Sequence, residues 1–206
     1  MLQQLERRWL PVIMKPIARF IEGTGISPNA LTILGFFLTV GVGYVLSLGY
    51  LRVGGVLVLL AAIFDALDGT LARMSGRTSR FGAYLDSTLD RFSEAVIYLG
   101  LLLHFMGQNA SVEVVLIYVT MVGSLMVSYT RSRAEGIGIS ITQGLLTRTE
   151  RIVLLVLALV FNLLTLGLWL LAIFCNVTAL QRMWLVWQQI ADEEEPLQDK
   201  SSAINK

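Results

Sequence analysis

Runs of about twenty apolar residues recur along this chain and constrain its fold more than any other feature. A helix that crosses a bilayer needs roughly 20 predominantly apolar residues, or fewer when its ends snorkel. Six runs can be read, at about Leu31–Tyr50, Val53–Ala72, Tyr84–Phe105, Val112–Arg131, Ile152–Leu164 and Thr165–Ile190. The fifth is short, and the stretch Asn162–Gly167 is the break that separates it from the sixth. Of 206 residues, 55% are hydrophobic, and the mean hydropathy is +0.68. That is too apolar for an ordinary soluble domain. The expected fold class is all-α integral membrane, with six transmembrane helices forming one domain over residues 26–191.

Charge gives the orientation. Of 16 Lys and Arg, only Arg52 falls in a loop on the expected outer side. Arg73, Arg77, Arg80 and Arg91 flank the loop after the second run, and Arg131, Arg133, Arg148 and Arg151 bracket the loop after the fourth. The excess of basic residues on cytoplasmic loops then places both termini and both long loops in the cytoplasm of a multi-pass cell-membrane protein. Residues 1–25 put Leu2, Leu5, Trp9, Ile13, Ile17 and Phe20 on one helical stripe, with Arg7, Arg8, Lys15 and Arg19 mostly opposite. This pattern predicts an amphipathic helix on the cytoplasmic surface, kinked or divided by Pro11 and Pro16. Residues 192–206 are polar and acidic, and are expected to be a disordered cytoplasmic tail.

Four aspartates interrupt this apolar pattern. Asp65 and Asp68 are three apart near the end of the second run, and Asp86 and Asp90 are four apart near the start of the third. These spacings put each pair on one helix face. The short connection makes the two helices antiparallel neighbours, so the carboxylates can converge. Carboxylates in hydrocarbon are costly, and several together repel one another unless cations hold them. The expectation is a site for Mg²⁺, two ions in all, with Mn²⁺ as the substitute. Two such ions can clamp a diphosphate during displacement. Gly69, Ala72 and Gly82 lie one turn from the aspartates and leave room for a bulky group. Arg73 matches phosphate oxygens, and Thr78 and Ser79 can add neutral hydrogen bonds.

The string Asp65-x2-Asp68-Gly69-x2-Ala72-Arg73-x8-Gly82-x3-Asp86-x3-Asp90 resembles the signature of the CDP-alcohol phosphotransferase family. The resemblance implies that Asp65, Asp68, Asp86 and Asp90 bind metal and that Asp90 also acts as general base. It implies that Asp65, Gly69, Ala72, Arg73, Ser79 and Gly82, with Asn29, Ala30, Leu31 and Thr32 at the start of the first run, bind the CDP-lipid. The segments Ser128-Tyr-Thr-Arg131-Ser-Arg133-Ala-Glu135 and Arg148-Thr-Glu150-Arg151 are similar to those of the branch that uses inositol phosphate as acceptor. Ser132 and Thr149 depart from that branch's usual Ala and Pro. Arg131, Arg133, Arg148 and Arg151 are then expected to bind the acceptor's phosphate. The implied activity moves a phosphatidyl or archaetidyl group from CDP-diacylglycerol or CDP-archaeol to the acceptor, releasing CMP. Glycerol 3-phosphate is the nearest competing acceptor. The family further implies a homodimer in membrane lipid, and no nucleic-acid partner is expected.

A different class, a cation transporter with intramembrane aspartates, is the distant alternative. The acids gather at one face only, and Arg73 beside them opposes cations. His104 lies too far along the third run to serve the site, Cys175 reads as packing, and Glu94 can pair with an arginine.

Overall fold

A computed structural model describes residues 16–19, 21, 23, 25–76, 78–141 and 143–204. The expected surface helix falls mostly on residues 1–15, outside the described residues, as do Arg77 and Lys206; residues 16–19 are helical. Six long helices follow: α1 (Pro28–Ser47), α2 (Leu51–Met74), α3 (Arg80–Met106), α4 (Ser111–Gly136), α5 (Arg148–Val160) and α6 (Leu164–Ile204). There is no strand among the described residues.

The helix ends have local causes. Ser27 caps α1, accepting from Ala30 N at 3.2 Å, with Pro28 at the first helical position, where its missing N–H costs nothing. Ser79 caps α3 and accepts from Gly82 N at 2.9 Å. Thr147 and Glu150 cap α5, with Thr147 N donating to Glu150 Oε2 at 2.8 Å. Asn162, with φ of 58°, makes the turn between α5 and α6, so the break falls where the sequence placed it. At its far end α6 continues through the stretch expected to be a disordered tail.

The helices close into a ring in the order α1, α2, α5, α6, α4, α3 and back to α1. Leu46, Tyr98, Leu101, Ile117, Leu159 and Leu168 fill its centre. Small residues let backbones approach: a Cβ on Gly100 of α3 would strike the carbonyl oxygen of Gly43 on α1, the kind of contact that holds helices together in lipid. α1, α2, α4 and the Leu164–Asp192 part of α6 are long and apolar enough to cross a membrane. Their outer faces carry Phe37, Tyr118 and Leu180, each more than 60% exposed. A surface so apolar is costly in water and natural in lipid. The chain is therefore an all-α integral membrane protein. α3 is long but carries Asp86, Asp90, Arg91 and Glu94, and α5 has only 13 residues.

Candidate metal and substrate site

The end of α2 and the start of α3 bring the acids together. Leu31 of α1 packs on Leu67 and Leu71 of α2, which holds the first turn of α1 beside Asp68. Asp65, Asp68 and Asp86 each offer a carboxylate oxygen within 4.8 Å of the others. Asp68 is buried. Its Oδ1 accepts from Gly69 N at 2.5 Å, while its Oδ2 is buried without a hydrogen-bond partner. A buried lone carboxylate oxygen is expensive. On a residue whose carboxylate shares a cluster with Asp65 and Asp86, it fits a divalent cation such as Mg²⁺ or Mn²⁺.

Asp90 lies outside that triad of oxygens. It is buried, with Arg148 Nη2 at 2.6 Å from Oδ1 and Arg91 Nη1 at 3.1 Å from Oδ2. The same Arg148 nitrogen lies 3.0 Å from Asp65 Oδ2. One guanidinium from α5 thus ties the second acid of α3 to the first acid of α2.

The four acids form a wall between two pockets. On one side Asp68 and Asp86 join Asn29, Thr32, Gly69, Ala72, Arg73, Thr78, Ser79 and Gly82 in lining a single pocket. A Cβ on Gly82 would sit 2.9 Å from Asn29 Oδ1 and 3.0 Å from Ser79 Oγ, so either side chain would have to move to admit one. Above Gly69 the space is open except for Arg73, whose guanidinium is 3.6 Å from where a Cβ would be. On the other side Asp65 and Asp90 line a more enclosed cavity with Ser93, Glu94, Arg148 and Arg151, together with apolar residues and Tyr98. Thr32 borders both.

Not every expected residue reaches these pockets. Ala30 is exposed and Leu31 is buried in the small apolar cluster, because on a helix they face away from Asn29 and Thr32. Of the four arginines, Arg148 and Arg151 line the cavity, whereas Arg131 is half exposed and paired with Glu135 at 2.8 Å, and Arg133 is exposed. Arg151 is 2% exposed and presents Nε and Nη2 to Glu94 at 3.2 and 3.4 Å. Glu94 extends the spacing of four from Asp86 and Asp90, which is the signal that marks it for this cavity.

Carboxylates set between a glycine-lined pocket and an arginine-lined one, inside a membrane bundle, suit a protein that handles phosphate-linked ligands at the bilayer. The chain belongs to the CDP-alcohol phosphatidyltransferase family, whose sequence model matches residues 25–190. It is 38% identical over 178 residues to the archaetidylinositol phosphate synthase of Pyrococcus horikoshii, covering 84% of this chain and 92% of that protein. It is 34% identical over 191 residues to the phosphatidylinositol phosphate synthase of Mycobacteroides abscessus, covering 88% and 87%. The crystal structure of the Mycobacterium tuberculosis phosphatidylinositol phosphate synthase with CDP-DAG bound superposes with a TM-score of 0.79 at 33% identity, over 85% of this chain and 94% of that one. The same enzyme with manganese and citrate gives 0.79 at 32% identity, over 84% and 88%.

Proposed function

We propose that this protein transfers a phosphatidyl or archaetidyl group from a CDP-linked lipid to a hydroxyl of inositol phosphate, releasing CMP. The observation that carries this reading is the acidic wall shared by two pockets of different character. The glycine-lined pocket suits the nucleotide: Gly69 and Gly82 leave the backbone bare, and Arg73 offers its fork to phosphate. The arginine-lined cavity suits a second, anionic substrate. Asp90 lies in the wall between them, held by Arg148 and Arg91.

The divalent cations, Mg²⁺ or Mn²⁺, would be held by Asp65, Asp68 and Asp86 with Asp90 and would neutralise charge on the diphosphate. The remaining chemistry belongs to the side chains. Asp90 accepts the proton of the acceptor hydroxyl. The oxygen forms a bond to the phosphorus that bears the lipid, the bond from that phosphorus to the CMP oxygen breaks, and CMP leaves with the electron pair. Arg148 orients the acceptor phosphate while fixing the base.

The same reading extends to the whole chain. α3 and α5 join the four apolar helices as the remaining spans of a six-helix domain over residues 26–191, with a surface helix before it and a tail after it. The site and both termini lie in the cytoplasm, and the protein works as a homodimer.

The test is CMP release by purified protein from CDP-diacylglycerol or CDP-archaeol, with and without Mg²⁺ or Mn²⁺, against a panel of acceptors. Metal-dependent release driven by inositol phosphate above glycerol 3-phosphate is the expected result. Equal rates with free inositol or serine, or release untouched by chelator, would overturn the proposal.

A further inference from the structure

Arg148 and Arg151 are three apart on α5, and Asp90 and Glu94 are four apart on α3, so each pair shares one helix face. The two faces meet across the arginine-lined cavity. Arg148 Nη2 lies 2.6 Å from Asp90 Oδ1. One turn further along both helices, Arg151 Nε and Nη2 donate to Glu94 Oε1 and Oε2 at 3.2 and 3.4 Å. These bridges do not join neighbouring helices. In the ring α3 lies between α1 and α4, and α5 lies between α2 and α6. The bridges therefore span its interior.

The two bridges differ in setting. The Arg148 side chain is 38% exposed and is shared between Asp65 and Asp90 of the acidic wall. The Arg151 side chain is 2% exposed, and its partner Glu94 is 18% exposed. A buried ion pair is a poor way to hold helices together, because desolvating two charges costs about what their attraction returns. A well-packed apolar pair would serve the bundle as well. What the pair does supply is a fixed direction. The carboxylate takes the Nε–Nη2 edge of the guanidinium in a two-pronged grip, and the Nη1 donors lie outside that grip. Both residues line the cavity beside Ser93 and Asp90.

We infer that Glu94 is a positioning residue for the acceptor: by gripping one edge of Arg151 it aims the rest of the guanidinium at the acceptor's phosphate. It acts through Arg151 and does not itself bind the phosphate, which a carboxylate would repel. The inference rests on the acceptor role proposed above for the arginine-lined cavity.

Glu94→Gln keeps the shape and removes the charge. The KM for inositol phosphate should rise roughly ten-fold, the worth of one charge-assisted hydrogen bond. The inhibition constant of inorganic phosphate, added as a competitor for the same cavity, should rise with it, while the KM for the CDP-lipid should hardly move. Glu94→Asp restores the carboxylate and should recover most of the acceptor KM. Combining Glu94→Gln with Arg151→Gln leaves no charge of the pair unmatched, so this variant carries the test even where Glu94→Gln does not fold. If Glu94 works through Arg151, the double variant has the acceptor KM of Arg151→Gln alone. A further rise in the double variant, or an acceptor KM that falls in Glu94→Gln, would overturn the positioning role. So would both KM values rising together, or thermal stability in detergent lost with the acceptor KM unchanged. Wild-type protein that gives no metal-dependent CMP release with inositol phosphate would instead overturn the functional reading on which the inference rests.

Discussion

The two pockets on either side of the acidic wall are built in different ways. The glycine-lined pocket comes from the end of α2, the start of α3, the short loop between them and the first turn of α1. The arginine-lined cavity takes residues from α1, α2, α3 and α5. A pocket built from neighbouring turns inherits its geometry from helix periodicity. A pocket built across the bundle depends on packing far from the chemistry. The first suits a ligand part common to a whole class of reactions, and the second suits the part that varies.

The largest effect should strike the wall and so abolish the distinction between the pockets. Removing divalent metal with a chelator should lower CMP release roughly a thousand-fold or more, several kcal/mol of lost charge stabilisation, with recovery on adding Mg²⁺ or Mn²⁺. Binding of both substrates and turnover are the quantities to follow.

Next comes Asp90→Asn, which keeps the shape of the wall and removes the proton acceptor. Turnover should drop by roughly 10²–10⁴-fold, while CMP binding measured by calorimetry stays near wild type, because Asp90 does not line the glycine pocket. Near-normal turnover would remove the general base from the mechanism.

Arg148→Gln separates the pockets. The charge-assisted contact to an acceptor phosphate is worth roughly 10- to 100-fold in kcat/KM for inositol phosphate, and the KM for the CDP-lipid should hardly move. A loss shared equally by both substrates would mean that Arg148 serves the acids alone.

The same contrast explains what could be read in advance. The aspartates, Gly69, Arg73 and Gly82 were legible because spacings of three and four on two adjoining helices fix which side chains meet. The start of α1 at Ser27 and Pro28 and the break at Asn162 were legible for similar local reasons. Arg148 and Arg151 line the cavity and Arg131 and Arg133 do not, since nothing in the spacing records how Gln143, Gly144 and Leu146 rest on α6. Charge alone reads Arg182 as a basic residue near the chain end, whereas it is buried and donates to Gln143 O and Val127 O.

Gly82→Ala probes the glycine pocket by itself. The added methyl would crowd Asn29 Oδ1 and Ser79 Oγ, and overpacking of this kind costs about 1–3 kcal/mol unless a side chain gives way. The KM for the CDP-lipid should rise roughly ten-fold with the acceptor KM unchanged. An effect on the acceptor instead would mean that the wall does not insulate the two sides.

The smallest effect sharpens the contrast most. Arg131→Gln removes a cation that the sequence groups with Arg148, yet Arg131 is half exposed and its partner Glu135 is one turn away on the same helix. Such surface pairs contribute about 0–1 kcal/mol, and Arg131 lines neither pocket. The KM for inositol phosphate should therefore shift by less than about two-fold, against the roughly 10- to 100-fold expected for Arg148. If the two variants proved equally damaging, the acceptor cavity would have to extend to the end of α4 when substrate is bound.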